Sequence, residues 1–288
     1  MTNIYTAPIY KLDELNNLFI ELTAKNCNQR CKSCYINFGV TNGFCGSLHK
    51  TIKDFISIDR IKEALADTIH ENLHCIYLTG AEPMTHPDFN LILRTCLKRT
   101  NVCICTNASF LNEKKIRFLK KVESEGDSQN SGNQIFFRLS LAHFDEIESD
   151  KAKYRGHYRQ TIFALKTLSR YNFSSVLSVQ NLYKLDKILI AESFNSIFKE
   201  QEIYNTDLQI TNSYPDFEDE NFAKPSNRTD CMSGRILTES GIYSCPFLAN
   251  DSRGRMGSSF KDYSKSIMAE TDFCATCSKN NNYIFTIG

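Results

Sequence analysis

The sequence has no excess of charge of either sign: 34 Lys and Arg stand against 33 Asp and Glu in 288 residues. That balance excludes the basic footprint of a nucleic-acid binder and the basic amphipathic face of a membrane-surface protein. No apolar run approaches a membrane span, and MTNIYTAPIYKLDELNN at the start holds no apolar core of signal-peptide length. Internal repeats and low-complexity tracts are also missing. These absences point to a cytoplasmic chain with no nucleic-acid or membrane partner, long enough for one large domain and a small appendage.

Cysteine, by contrast, is plentiful, with twelve in the chain. In a reducing compartment disulfides are not expected, so metals, thiolate chemistry or plain burial must explain them. Cys75, Cys96, Cys103 and Cys105 lie inside apolar runs (HCIYL, RTCLKR, VCICT) and read as small buried hydrophobes. The others are grouped in loops.

Short apolar runs alternate with helical patterns over 17–212. The strands are NLFIELT, HCIYLTG, NVCICTN, IFFRLSL, SVLSVQ and DLQIT. Between them, helical spacing joins Ile58, Ile61, Leu65 and Ile69. It also joins Phe89, Leu93, Cys96 and Leu97 after Pro87, and Leu111, Ile116, Leu119 and Val122. YRQTIFALKTLSRY and DKILIAESFNSIFKE complete the set, while the polar ESEGDSQNSGNQ reads as a solvated loop. Six strands interleaved with five helices predict an α/β fold with right-handed βαβ units and a parallel sheet. The chain is too short for eight repeats, so a partly open (βα)6 TIM-like barrel is expected, with ligands at the C-terminal ends of the strands. Residues 213–230 read as a linker. After it, GRILTESGIYSCPF reads as a β-hairpin turning at Glu239-Ser240-Gly241, and DYSKSIMAE as a short helix.

Cys27, Cys31 and Cys34 form C-x3-C-x2-C directly after the first strand. Three thiolates on one loop suit a soft metal centre. On a four-iron cluster they leave one iron open to a ligand. A zinc loop completed by Cys45 or His49 is the plainer alternative. Cys231, Cys245, Cys274 and Cys277 follow as C-x13-C-x28-C-x2-C, a closed set of four that suits zinc or iron–sulfur equally by composition.

The segment CNQRCKSCY resembles the signature of the radical S-adenosylmethionine (SAM) superfamily. The resemblance implies a [4Fe–4S] cluster on Cys27, Cys31 and Cys34 whose open iron takes SAM. An electron from that cluster then cleaves SAM to methionine and a 5′-deoxyadenosyl radical, which takes hydrogen from a substrate. Many members place an aromatic residue against the adenine just before the third Cys. Here Ser33 stands there, with Tyr35 as the possible substitute. Gly80-Ala81-Glu82-Pro83 is similar to the family's GGEP, which holds the SAM amino group, although Ala81 gives up some glycine freedom. Ser140 matches the family's polar strand-end position, Arg155-Gly156 resembles its RG pair, and Thr106-Asn107-Ala108 resembles its TNG. The tail of the chain is similar to the twitch element, the shorter relative of the SPASM extension, which implies an auxiliary [4Fe–4S] cluster on Cys231, Cys245, Cys274 and Cys277.

The expected organisation is a tail (1–16), a radical SAM core (17–212), a linker (213–230) and an auxiliary-cluster domain (231–288). Three functions remain open. The first is two-electron oxidation of a small molecule, with the auxiliary cluster accepting an electron. The second is crosslinking or epimerisation of a ribosomally made peptide, and the third a metal-stabilised binding protein without catalysis. A flavodoxin- or ferredoxin-type donor is implied by the family alone. His143 and Asp145 have the spacing of a proton acceptor or, more plainly, of a capping pair. Cys45 is a hydrogen donor or a bystander.

Overall fold

In the computed structural model the described residues are 15–29, 31, 34, 53–127, 132–212 and 235–263. Strands β1 (Asn17–Glu21), β2 (Cys75–Thr79), β3 (Asn101–Cys105), β4 (Ile135–Leu141), β5 (Ser174–Asn181) and β6 (Thr206–Asn212) lie side by side and parallel. They alternate with helices α1 (Ile58–Asp67), α2 (Phe89–Leu97), α3 (Glu113–Asp127), α4 (Glu146–Ala152), α5 (His157–Arg170) and α6 (Lys187–Glu200). Strands β7 (Arg235–Thr238), β8 (Gly241–Tyr243) and β9 (Arg255–Gly257) complete a nine-stranded sheet in the order β6-β5-β4-β3-β2-β1-β7-β8-β9. Among the described residues β6 and β9 are its two edges, so the barrel is open, as expected of a partial (βα)6 form.

The strands read as apolar runs because both of their faces are covered. One face packs Leu18, Ile20, Ile76, Leu78, Val102, Ile104, Phe137 and Leu139 under the helices. The other, concave face carries Phe19, Tyr77, Cys103, Val176, Ile236 and Tyr243. Phe19 and Tyr77 stack there, with ring centroids 4.5 Å apart. Side chains two residues apart share a face, so each strand contributes one set of residues to the helix layer and one to the concavity.

Local chemistry sets the helix limits. Ser57 caps α1 by accepting from the Arg60 N–H, and the helix stops at Asp67, which leaves Ile69 57% exposed and outside the expected apolar stripe. A 3-10 turn over Pro83–Thr85 precedes α2, which begins at Phe89 rather than at Pro87. The expected loop over 123–134 starts too early, since α3 runs on to Asp127. Its Glu123 is buried and accepts from the Ile135 N–H (2.8 Å) and Lys120 Nζ (2.5 Å), so this acidic residue starts β4 instead of facing water. Helix α4 has no apolar stripe to reveal it. Only Ser149 of its residues is buried, and Asp145 caps it by accepting from the Glu148 N–H.

The hairpin forms where expected, with Gly241 following the turn. Strand β7 pairs in parallel with β1, so the hairpin continues the barrel sheet. The linker 213–230 and nearly all of the helix expected over 262–270 lie outside the described residues, and no described helix is long and apolar enough to cross a membrane.

Glu21, at the end of β1, ties this hairpin region to the barrel. Asn250, in the left-handed region at φ +61°, donates from Nδ2 to Glu21 Oε2 at 2.6 Å, and its Oδ1 accepts from Ser240 Oγ at 2.7 Å. Burial raises the Glu21 carboxyl to about 7, partly offset by the Asn250 bond. A carboxyl raised in the folded state binds a proton there that the unfolded chain has released. Its contribution is therefore complete below about 4.5 and is lost as pH rises through 7, a swing of roughly 3 kcal/mol. Glu21→Gln keeps the acceptor for Asn250 and removes the charge. The expected result is a smaller fall in urea midpoint between pH 5 and pH 8 than the wild type shows, with the variant the more stable at pH 8.

Candidate functional site

The C-terminal ends of the parallel strands surround a cavity of about 170 Å³. Its wall includes Cys27, Cys31 and Cys34 from the loop after β1, Gly80 and Ala81 after β2, and Thr106 and Asn107 after β3. Ser140 on β4 lines it too, so most of the residues singled out by sequence meet at one place.

The first two loops are stitched together by the backbone. Thr23 Oγ1 turns the chain after β1 by accepting from the N–H groups of Lys25 (3.3 Å) and Asn26 (3.0 Å). The Ala81 N–H then donates to the Thr23 carbonyl at 2.7 Å, and the Glu82 N–H to the Asn26 carbonyl at 3.1 Å. Gly80 makes the approach possible. It sits at φ +124°, and a Cβ there would lie 2.5 Å from the Thr23 carbonyl oxygen. Ala81 is not among the residues at positive φ, so the alanine at this position costs no conformational freedom. Gly80→Ala is expected to lower stability by upwards of ~2 kcal/mol and to push the two loops apart. Urea denaturation and iron uptake measured on the same variant check both effects.

Glu82 stands behind this wall, fully buried. Its carboxyl accepts from Thr106 Oγ1 (2.8 and 3.0 Å), the Asn107 N–H (2.9 Å) and the Met84 N–H (3.2 Å). Desolvation raises it to about 7 against the opposing pull of these three donors. Asn107 carries the connection onward. Its Nδ2 donates to Cys27 Sγ at 3.5 Å and to Asn28 Oδ1 at 3.0 Å. The loops after β1, β2 and β3 thus form one hydrogen-bonded unit around the carboxyl.

The three cysteines are half-buried on the cavity rim. Burial pushes the Cys27 and Cys31 thiols up, while Lys153 pulls Cys31 down. Cys27 Sγ also accepts from the Gln29 N–H at 3.3 Å. Among the described residues no three Cys, His, Asp or Glu side chains converge on one point as the ligands of a single ion would. Three thiolates on one cavity are the donor set of a four-iron cluster with one iron left open. Tyr35, Cys45 and His49 lie outside the described residues, as do Cys231, Cys274 and Cys277 of the second group. Its remaining member, Cys245, is half-buried just ahead of a 3-10 turn over Pro246–Leu248.

Arg155 is exposed and is not among the cavity-lining residues; Lys153, two positions earlier, is. His143 and Asp145 form the capping arrangement: the Asp145 N–H donates to His143 Nδ1 at 2.8 Å while its carboxylate caps α4. Cys105, read from sequence as buried apolar filling, also faces the cavity, with its sulfur 4.0 Å from that of Cys103. Arg138, Ser178, Gln180 and Thr211 line the cavity as well and were not anticipated. The signal for them was present, since each falls on the concave parity of β4, β5 or β6, where an apolar residue would otherwise be expected.

The profile of the radical SAM superfamily matches residues 22–187, over half of the chain. No curated protein sequence matches it. Among solved structures, SuiB of Streptococcus suis bound to its precursor peptide SuiA is similar at 12% identity and a TM-score of 0.62, covering 88% of this chain and 64% of that one. SuiB alone gives 13% identity and 0.58, covering 86% and 64%. SuiB bound to S-adenosylmethionine gives 13% and 0.54, covering 83% and 53%. At these identities the likeness is one of fold, and the chain spans less than two thirds of SuiB's length.

Proposed function

Because the chain belongs to the radical SAM superfamily, we propose that it cleaves SAM reductively and uses the resulting radical to take hydrogen from a substrate. The observation that carries this reading is the placement of the Cys27–Cys34 loop, Gly80-Ala81 and Thr106-Asn107 on one cavity, joined through Glu82. Cys27, Cys31 and Cys34 would hold a [4Fe–4S] cluster, with Asn107 and the Gln29 N–H donating to Cys27. Gly80, Ala81, Thr106, Asn107 and Ser140 would hold SAM, with Tyr35 against its adenine. Arg155, of the RG-like pair, would also hold SAM, with Lys153 on the cavity wall as a further cation. Bound together, cluster and SAM supply the electron and the 5′-deoxyadenosyl radical.

The reaction proposed is a two-electron oxidation of a small molecule: a substrate carbon gives up a hydrogen atom, then a proton, then an electron. An auxiliary [4Fe–4S] cluster on Cys231, Cys245, Cys274 and Cys277 would take that electron, and a flavodoxin or ferredoxin would reduce the first cluster. A peptide substrate is the second reading, favoured by the likeness of fold to SuiB with its precursor peptide. The test is anaerobic reconstitution with iron and sulfide, followed by metal counting and product analysis after dithionite reduction. About eight irons per chain, with methionine and 5′-deoxyadenosine as products, are expected. Zinc in place of iron with SAM left intact would overturn the reading in favour of a metal-stapled binding protein.

A further inference from the structure

The loop after β3 is held in a conformation that its own residues resist. Ala108 is fully buried in the left-handed region at φ +67°, where a side chain with a Cβ is strained. Two side-chain oxygens hold the turn against that strain. Thr106 Oγ1 accepts from the Ala108 N–H at 3.2 Å, and Asn107 Oδ1 accepts from the Ser109 N–H at 2.9 Å. Glu82 fixes the loop from behind, through Thr106 Oγ1 and the Asn107 N–H.

This turn leaves the Asn107 side chain one orientation. The two ends of an amide have nearly the same shape, so only the surrounding bonds decide which way it faces. Here the oxygen meets a backbone N–H, which can only donate. Nδ2 therefore faces the other way, toward Asn28 Oδ1 at 3.0 Å and Cys27 Sγ at 3.5 Å. Asn28 Oδ1 also accepts from Ser109 Oγ at 3.1 Å, so both ends of the amide are tied to the same neighbouring residue. A residue needed only to shape the turn requires the oxygen alone, and Asp or Ser would supply it. What asparagine adds is an N–H directed at a cysteine sulfur.

We propose that Asn107 raises the reduction potential of the cluster on Cys27, Cys31 and Cys34 by donating a hydrogen bond to Cys27 Sγ. This rests on the radical SAM reading and adds a device that makes that cluster easier to reduce. The potential of an iron–sulfur cluster depends on its net charge and on hydrogen bonds to its sulfurs. An added electron increases the negative charge shared with the thiolates, so a donor at Sγ stabilises the reduced form more than the oxidised one. The electron comes from the flavodoxin or ferredoxin, and no bond breaks and no proton moves at Asn107. The Gln29 N–H, 3.3 Å from the same sulfur, acts in the same sense, but it is backbone and survives any side-chain change. The amide of Asn107 is the contribution that a substitution can remove.

Redox titration of the reconstituted, SAM-free protein tests this without turnover. The signal to follow is the electron paramagnetic resonance of the reduced cluster that is missing from the Cys27→Ala/Cys31→Ala/Cys34→Ala variant. Asn107→Ser keeps an oxygen for the Ser109 N–H and removes the amide donor. Reduction is expected to become roughly tenfold less favourable, a potential about 59 mV more negative for one electron. Asn107→Asp keeps the oxygen in place and sets a carboxylate beside the sulfur, so it should move the potential further in the same direction. Asn28→Ala removes an acceptor of the same amide and no donor to sulfur, and its shift should be smaller than that of Asn107→Ser. An unchanged or more positive potential in Asn107→Ser would overturn the proposal, as would an equal shift in Asn28→Ala. Loss of the cluster from Asn107→Ser would overturn it too, by making the amide a requirement for assembly; loss from Asn107→Asp alone leaves the serine variant to decide. Failure of the radical SAM reading itself appears separately, as zinc content and intact SAM in the wild type.

Discussion

Replacing Cys27, Cys31 and Cys34 together by alanine is expected to lower reconstituted iron from about eight to about four atoms per chain. It should also abolish SAM cleavage entirely. The three sulfurs line the rim of one cavity, and Asn107 and the Gln29 N–H both donate to Cys27. Alanine removes all three soft donors of the loop; Cys105, also on the cavity wall, is a single thiol and cannot hold a cluster by itself. The fold should survive, because the loop is held by backbone bonds from Ala81 and Glu82 to Thr23 and Asn26 that do not involve sulfur. Iron content, the charge-transfer absorption of the clusters and 5′-deoxyadenosine formation read three separate consequences. The remaining four irons should vanish only when Cys245 or its proposed partners are also changed. If the triple variant still held about eight irons, the first cluster would have to sit elsewhere. If it held none, the two centres would be interdependent.

Much of this arrangement was legible in the sequence because it rests on periodicity and spacing. HCIYLTG is apolar on both faces and IFFRLSL on the face under the helices, so both stand out even without their neighbours. A C-x3-C-x2-C loop at a strand end is rare enough to mark a site unaided. What could not be read depends on contacts between segments far apart in the chain. Glu123 reads as part of a polar loop, but it is buried because the Ile135 N–H needs an acceptor where β4 begins. Helix α4 shows no apolar stripe, and its capping by Asp145 is a local event hidden in a run of charge. Lys153 and Arg155 differ only in where the chain leaves α4, and no pattern in the sequence separates a residue on the cavity from an exposed one two positions on. Gly80 was legible as a glycine that lets backbones approach, yet which backbone it meets, that of Thr23, belongs to the tertiary structure. The wall formed by Arg138, Ser178, Gln180 and Thr211 could have been found by asking why polar residues occupy the concave parity of buried strands.

Glu82 offers the second large effect, because the network converges on it. Three donors from two loops, Thr106 Oγ1, the Asn107 N–H and the Met84 N–H, end on one buried carboxyl. Alanine leaves all three without an acceptor. At about 1–3 kcal/mol for each buried group left unpaired, the expected loss of stability is roughly 3–5 kcal/mol. Glutamine is the more informative change. It keeps the volume and one oxygen, but its amide nitrogen must face either the Asn107 N–H or the Met84 N–H, donor against donor. The threonine hydroxyl can rotate to accept instead, so the cost in stability should be only about 1–2 kcal/mol. Activity should fall much further, by ~100-fold or more in SAM cleavage, because the loops after β2 and β3 no longer hold their positions and the charge is lost. Thr106→Val separates the two contributions. It removes one donor while leaving the carboxylate and both backbone contacts, and it should reduce SAM cleavage less than Glu82→Gln does. Comparable losses in the two variants would instead locate the effect in the geometry of the β3 loop, with the negative charge of Glu82 contributing little.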